Sequence, residues 1–359
     1  MAILSGIIGL PAVGKSTVFD ILTSSAPSRH GQVNIGTVAV PDSRLDYLWE
    51  IYRPEKKVYA SMEVMDIPGL NPKEMDREQL RKFLEEIRRA DVFIHVVRGF
   101  RNDAVWHVEG EINIKRDIDI INTELILNDL QLVETRISSI EETRKKKGIS
   151  SETEAELSAL LKYRKALEEE VPICSVELSE FEEKAVRHLG FLTSKPMVLV
   201  INLDEEQLSK GYDEREYVHN WAEERGYKLI EICASLEQEI SELDKSDQML
   251  FLKEIGMEQP GSMRIARAVF ESLDLITFFT VGKDEVKAWV ITEGTNARKA
   301  AGKIHSDMER GFIRAEVVSF EDFKACGSEK EAKKRGLYRL EGKDYIVKDG
   351  DIIQFRFNV

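Results

Sequence analysis

Near its start the chain reads Gly9-Leu10-Pro11-Ala12-Val13-Gly14-Lys15-Ser16-Thr17. Residues of these types at this spacing fit the pattern G-x-x-x-x-G-K-[ST] and suit one kind of chemistry, the grip of a polyphosphate. Gly9 and Gly14 let the backbone turn so that successive N–H groups converge, with Pro11, Ala12 and Val13 completing the bend. Converging amides at a helix N-terminus attract phosphate oxygens. Lys15 supplies a mobile positive charge for the β- and γ-phosphates, the Ser16 hydroxyl a hard ligand for Mg²⁺, and Thr17 support for the α-phosphate. A glycine-rich turn that merely joins a strand to a helix explains the glycines but leaves Lys15 and Ser16 without a role.

A site of this kind needs an acidic residue on a neighbouring strand and a loop that reads a base. "ASMEVMDIPGL" supplies Asp66, placed to hold a magnesium-bound water, and Gly69, whose N–H can meet a γ-phosphate. Leu70 follows, where many GTPases carry a water-orienting glutamine. "KPMVLVINLDE" ends in Asn202-Leu203-Asp204-Glu205. The guanine-reading pattern is N-K-x-D; here the lysine is missing and Glu205 replaces the aspartate, so the residues leave the choice between ATP and GTP open. Ala234 and Ser235, after "KLIEIC", are placed to touch the base through backbone and hydroxyl.

The elements that must position these groups are legible from periodicity. "ILSGII" is a short apolar run, expected to be a buried parallel strand, and Val18, Phe19, Ile21 and Leu22 recur at helical spacing after Lys15. Further strands are expected over "NIGTVAV", at Met62 to Met65, over "ADVFIHVVRGF" and over "VLVIN". From Ile118 to about Lys184 the chain reads as a charged helical hairpin. Ile126, Leu130, Val133, Ile137 and Ile140 form its outgoing stripe, and Leu157, Leu160, Leu167 and Val171 the return. Gly148 is expected to end the first helix and Ser151 with Glu154 to cap the second. From about 273 onward the chain is β-rich, with Asp349-Gly350 as a hairpin signal.

The 359 residues exceed what one compact core holds. A formal net charge of -14 argues against coating nucleic acid over the whole surface, and no DNA sequence readout is expected. No apolar run reaches 18 residues and the first ten carry no basic n-region, so neither a membrane span nor a signal peptide is expected. Cys174, Cys233 and Cys326 stand far apart, as in a reduced, cytoplasmic protein without a cysteine metal site.

The order of motifs resembles the YchF family of Obg-related P-loop NTPases, in the TRAFAC class, nearly end to end. The likeness runs through "NIGTVAVPDSRLDYL", Asp117 to Leu125, the N-x-x-E loop, "AAGKIHSDMERGFIRAEVVSFEDF" and the closing "EGKDYIVKDGDIIQFRFNV". It implies an α/β P-loop NTPase G domain (1–117 and 190–272), an inserted α-helical coiled-coil hairpin (118–189) and a C-terminal α+β TGS, ubiquitin-like domain (273–359). It further implies Mg²⁺ with ATP or GTP as bound nucleotide, and association with ribosomes; beside it, the basic hairpin tip Arg144 to Lys147 could touch RNA phosphate, and Arg298, Lys299, Lys303, Arg310 and Arg314 of the TGS domain could meet RNA or a protein. Lys15, Ser16, Asp66, Gly69, Asn202 and Glu205 match its nucleotide-site positions, and His107 a loop histidine used in hydrolysis.

Three departures from the family bear on catalysis. Ala12 stands where the family has asparagine, so potassium stimulation is not expected. The first switch segment is shortened to "SSAPSRHGQVN" and lacks a threonine for Mg²⁺; Thr37 falls inside an expected strand, and Ser24, Ser25 and Ser28 are weak substitutes. The second switch has exchanged its glycines for "NPKEMDREQLRKFLEEIRRAD", with Leu80, Phe83, Leu84 and Ile87 on one helical stripe. The expectation is a regulatory nucleotide-binding protein whose hydrolysis is slow or impaired. The alternative is a non-hydrolysing, nucleotide-gated interaction module.

Overall fold

A computed structural model describes residues 3–23, 33–71 and 75–358. Its strands in chain order are β1 (Leu4–Ile8), β2 (Asn34–Val40), β3 (Lys56–Val58), β4 (Ala60–Asp66), β5 (Val92–Arg98), β6 (Met197–Asn202), β7 (Lys228–Ile232), β8 (Leu275–Val281), β9 (Glu285–Thr292), β10 (Phe312–Ser319), β11 (Arg339–Glu341) and β12 (Asp351–Phe357). They form two sheets, ordered β2-β4-β1-β5-β6-β7 and β11-β10-β12-β8-β9-β3. The helices that matter first are α1 (Lys15–Thr23), α2 (Ser43–Tyr52), α3 (Arg77–Ile87), α4 (Ile114–Lys147), α5 (Ser151–Glu168), α6 (Glu180–Val186), α7 (Glu205–Lys210), α8 (Arg215–Glu224) and α9 (Ala234–Glu242).

The chain divides into two compact units, one of Met1–Gly36 and Glu63–Val269, the other of Thr37–Met62 and Phe270–Val359. In the first, β1, β5, β6 and β7 run parallel, and β4 pairs parallel with β1. Every residue of β5 and β6 is buried, as expected of parallel strands covered on both faces. The parallel register sets Ile7 beside Asp66 and Arg98 beside Asn202, so the strand ends that carry polar residues lie at one edge. Ligands in open α/β sheets bind outside such carboxyl ends.

The helical insertion is built on α4, whose 34 residues span about 50 Å at 1.5 Å per residue. Ile126, Val133, Ile137 and Ile140 pack with Leu157, Leu160 and Leu167 in one cluster, and Leu130 lies against it. Three details differ from the sequence reading. The cap of α5 is Ser150, whose hydroxyl accepts from the Thr153 N–H at 3.3 Å; Ser151 is already helical. Val171 lies beyond the end of α5 and is exposed, because the helix stops at Glu168 before the stripe can reach it. Helix α4 also begins at Ile114, ahead of Ile118. Its N-terminus is held by the Asn113 side chain and by Glu214, which accepts from the Ile114 and Lys115 N–H groups at 2.9 and 3.0 Å.

The second unit gathers residues 37–62, which the sequence alone groups with the first, beside 270–359. β3 pairs parallel with β9, and α2 packs on β8 and β9 with Leu45 and Leu48 fully buried. The Arg44 guanidinium reaches both Asp42 and Asp349, at 2.8 and 2.6 Å. Tyr47 and Tyr52 pack on Phe320 and Phe323. Asp349-Gly350 is not a hairpin turn: β10 lies between β11 and β12 in the sheet. Gly350, at φ +83°, instead donates to the Thr277 carbonyl at 2.8 Å while the Asp349 carboxylate accepts from the Thr277 N–H at 2.9 Å. This tethers the end of the loop to β8. Asp and Gly were favoured here by the positive φ and the tether, not by a two-residue connection.

Candidate functional site

The loop between β1 and α1 bends through three positive φ angles, +149° at Gly9, +59° at Ala12 and +95° at Gly14. At Gly9 a Cβ would lie 2.3 Å from the Val96 carbonyl oxygen, and at Gly14 it would lie 2.3 Å from Asn202 Nδ2. Both glycines are therefore demanded by close approach as well as by φ. Ala12, exposed, carries the strain of a left-handed conformation without that excuse.

Lys15 is buried and donates from Nζ to the Leu10 carbonyl at 2.7 Å, across the mouth of the loop. Burial pulls its ammonium down to about 8, against the opposing attraction of Asp66. Buried His95 on β5 is pushed down to about 3 by burial and by the charge of Lys15, so it stays neutral. Ser16 Oγ donates to Asp66 Oδ2 at 2.9 Å. These are two hard oxygens of the kind Mg²⁺ takes, an ion commonly held by one or two side chains and the phosphates themselves. Gly69 lies against the loop: a Cβ there would sit 2.7 Å from Pro11 Cα and 3.0 Å from Lys15 Nζ. Leu70 donates its N–H to the Gly9 carbonyl at 3.1 Å and buries its side chain. Thr17 stands half-buried in the first turn of α1.

The base-side residues converge on the same loop. Asn202 donates from Nδ2 to the Val13 carbonyl at 3.0 Å and accepts at Oδ1 from the Ala234 N–H at 3.0 Å. One side chain thus joins the phosphate loop, the end of β6 and the start of α9. Leu203 turns its side chain into the core with Ile114 and Ile118, leaving its backbone to the loop. Glu205 is exposed at the first position of α7, and Ser235 is exposed beside Cys233, with Oγ to Sγ 3.3 Å.

His107 stands apart from this group. It is buried, its Nε2 lies 2.9 Å from Asp117 Oδ2, and its Nδ1 accepts from the Glu109 N–H at 3.1 Å. Accepting at Nδ1 assigns the ring proton to Nε2, so the imidazole donates to Asp117. Arg116 also donates to Asp117, at 2.8 Å. Burial raises the Asp117 carboxyl, against the pull of Arg116 and His107. Thr37 lies within β2, as the sequence pattern expects, and is exposed; Ser24, Ser25 and Ser28 lie outside the described residues.

Several residues of this network escaped the sequence reading. Arg98 is almost fully buried and donates to the carbonyls of Phe100, Asn102 and Val105 at 3.2, 3.1 and 3.0 Å, which shapes the loop carrying His107. Asp204 caps α7 in a reciprocal box with Gln207. The D-x-x-Q spacing was a usable signal for that box; nothing local marks Arg98 or Glu214.

Residues 5–129 match the family model described as "50S ribosome-binding GTPase", and residues 275–358 match YchF-GTPase_C, described as "Protein of unknown function (DUF933)". The chain is 43% identical to the "Ribosome-binding ATPase YchF" of Pasteurella multocida and 41% identical to that of Bacillus subtilis, over the full length of both chains in each case. The chain belongs to the YchF family. A solved structure, that of the Schizosaccharomyces pombe YchF GTPase, matches with a TM-score of 0.87 at 30% identity, covering 99% of this chain and 97% of the other. The architecture of this YchF chain is accordingly a P-loop G domain with a helical insertion and a C-terminal YchF-type domain. It carries the nucleotide-binding fold of an NTPase family whose curated relatives are named for ribosome binding.

Proposed function

We propose that this YchF-family chain is a cytoplasmic, Mg²⁺-dependent purine nucleotide switch that takes ATP, with GTP as the competing ligand, and works at the ribosome. The observation that carries this reading is the shared geometry of the phosphate loop. Its glycines are required by φ and by contact, Ser16 and Asp66 are joined, and Asn202 ties the loop to the base side. In this reading the amides of Gly9 to Thr17 cradle the phosphates and Lys15 leaves the Leu10 carbonyl for the β- and γ-oxygens. Ser16 and Asp66, the latter through water, hold Mg²⁺, and Gly69 donates to the γ-phosphate. Bound there, Mg²⁺ would neutralise charge on the phosphate oxygens. Asn202, the Leu203 backbone, Glu205, Ala234 and Ser235 surround the base. ATP is favoured by the names of the relatives; Glu205, with its longer side chain and no lysine beside it, does not reproduce the guanine fork.

Hydrolysis is slow. The shortened first switch segment, "SSAPSRHGQVN", has no threonine in its sequence to offer a γ-phosphate. Both ring nitrogens of His107 are engaged, so it positions water only after leaving Asp117 and the Glu109 N–H. Titration calorimetry with ATP, GTP, ADP and GDP, followed by single-turnover assays, tests both parts. Absence of affinity for every purine nucleotide defeats the reading. Turnover as fast as in ordinary family members, lost in Lys15→Ala, defeats the slow-hydrolysis part. Binding with no turnover at all favours the non-hydrolysing interaction module.

The ribosomal link is assigned to phosphate contacts. The hairpin tip ends in exposed Arg144, Lys145, Lys146 and Lys147, and the C-terminal TGS-type domain carries Arg298, Lys299, Lys303, Arg310 and Arg314. Acids and bases balance over 37–62 and 270–359, so the negative excess lies in the other unit. Co-sedimentation with ribosomes at low and high salt should show binding that weakens with salt and with charge reversal at the tip; salt-independent binding would exclude phosphate contact.

A further inference from the structure

Gln207 is buried on α7, and its side chain does more than a cap requires. Its Oε1 accepts from the Asp204 N–H at 3.0 Å while Asp204 Oδ1 accepts from the Gln207 N–H at 2.9 Å. Glutamate would complete this box equally well. The amide adds one bond that glutamate could not make: Nε2 donates to the Gly99 carbonyl at 2.9 Å, a contact buried across 108 residues of sequence. Around it the two loops are laced together. Gly99 and Phe100 donate to the Asn202 carbonyl at 2.8 and 2.9 Å, and the Arg101 N–H lies 3.3 Å from Asp204 Oδ2. A Cβ on Gly99 would stand 2.7 Å from Leu203 Cδ2, so the loops have no slack.

We propose that Gln207 is a positioning residue for purine selectivity, clamping the Asn202–Glu205 loop so that Glu205 meets the base at a fixed place. This rests on the reading that Glu205 faces the base. The physical reason is a division of labour. The phosphate loop holds the charged end of the ligand through amides and Lys15, none of which Gln207 touches. Discrimination between purines depends on the placement of one carboxylate and nearby backbone groups, and hydrogen bonds weaken steeply once angles and distances slip. Without the clamp, α7 keeps its cap in Gln207→Glu but sets a carboxylate oxygen against the Gly99 carbonyl, and the loop must part.

The test uses the full-length protein, Mg²⁺, and three ligands: ATP, GTP and inorganic tripolyphosphate. In Gln207→Glu and Gln207→Leu the ratio of ATP to GTP affinities should fall toward unity by about tenfold, the scale of one hydrogen bond to a charged acceptor. Affinity for tripolyphosphate should change less than about twofold on the same scale. An unchanged ratio, or an equal loss for all three ligands, overturns the proposal; so does a wild-type protein that does not discriminate between the purines. A wild-type protein that binds no purine triphosphate defeats the nucleotide reading itself, and this is seen before any variant is made. Should the variants not fold, hydrogen exchange on the wild type decides. Amides of Gly99–Arg101 and Asp204–Gln207 are to be protected by ATP and not by tripolyphosphate, and equal protection refutes the clamp.

Discussion

Asn202→Ala removes one buried side chain and unties three segments at once. Asn202 is 4% exposed, and its amide makes two bonds of 3.0 Å, one to the Val13 carbonyl and one from the Ala234 N–H. Val13 and Ala234 are themselves buried, so water cannot readily replace the lost partner. Each orphaned buried backbone group costs about 1–3 kcal/mol, which puts the substitution at about 2–6 kcal/mol in all. In a domain of this size that corresponds to a fall in Tm of about 5–15 °C. Asn202→Asp is the informative companion. Its carboxylate still accepts from Ala234 but cannot donate to Val13, so its loss should be no smaller than about half that of alanine and should include repulsion from the Val13 carbonyl. Thermal and urea unfolding measure the stability, and calorimetric titration with Mg²⁺-ATP measures whether the phosphate loop survives as a binding element. The reasoning fails if Asn202→Ala unfolds within about 0.5 kcal/mol of wild type, the range of an ordinary surface change, or if ATP affinity is unaltered.

Four further outcomes are expected. Ala12→Asn or Ala12→Gly should raise stability by about 0.5–1 kcal/mol, because both tolerate the φ of +59° better than alanine does; a lower Tm in both variants would refute the strain. Leu48→Ala, at a fully buried position on α2, should cost about 2–5 kcal/mol, and hydrogen exchange should report the loosening at β8 and β9 rather than at the phosphate loop. Glu182 is held down at about 2 by Lys162, the Ser179 N–H and Ser158. A depressed carboxyl stabilises above its unfolded pKa and loses that contribution as pH falls from about 4.5 toward about 2. Glu182→Gln should therefore flatten the stability curve in that window, and an unchanged acid limb counts against the ion pair. Arg98→Met should speed amide exchange over residues 100–107, since three carbonyls lose their donor; unchanged protection would show that the loop holds itself.

The sequence by itself determined what contiguous residues can encode. The phosphate loop, the strand before it and the helix after it are local, because φ preference, apolar period and a lysine next to a hydroxyl all act within a few residues. The hairpin stripe from Ile126 to Ile140 was legible for the same reason, and so was the end of α4 at Gly148. The tertiary structure alone decided the partners. Asn202 finds Val13 across 189 residues, Glu214 caps α4 from 100 residues away, and Gln207 reaches Gly99 over 108. β3 and α2 join the C-terminal sheet although the chain has just left the G domain. Val171 and the Asp349-Gly350 turn show the converse, since a local pattern suited them to roles that the end of a helix and the order of a sheet took away. Such pairings depend on register and on which faces remain to be covered. Those are properties of the packed chain, and they leave no periodic or compositional trace in the residues that make them.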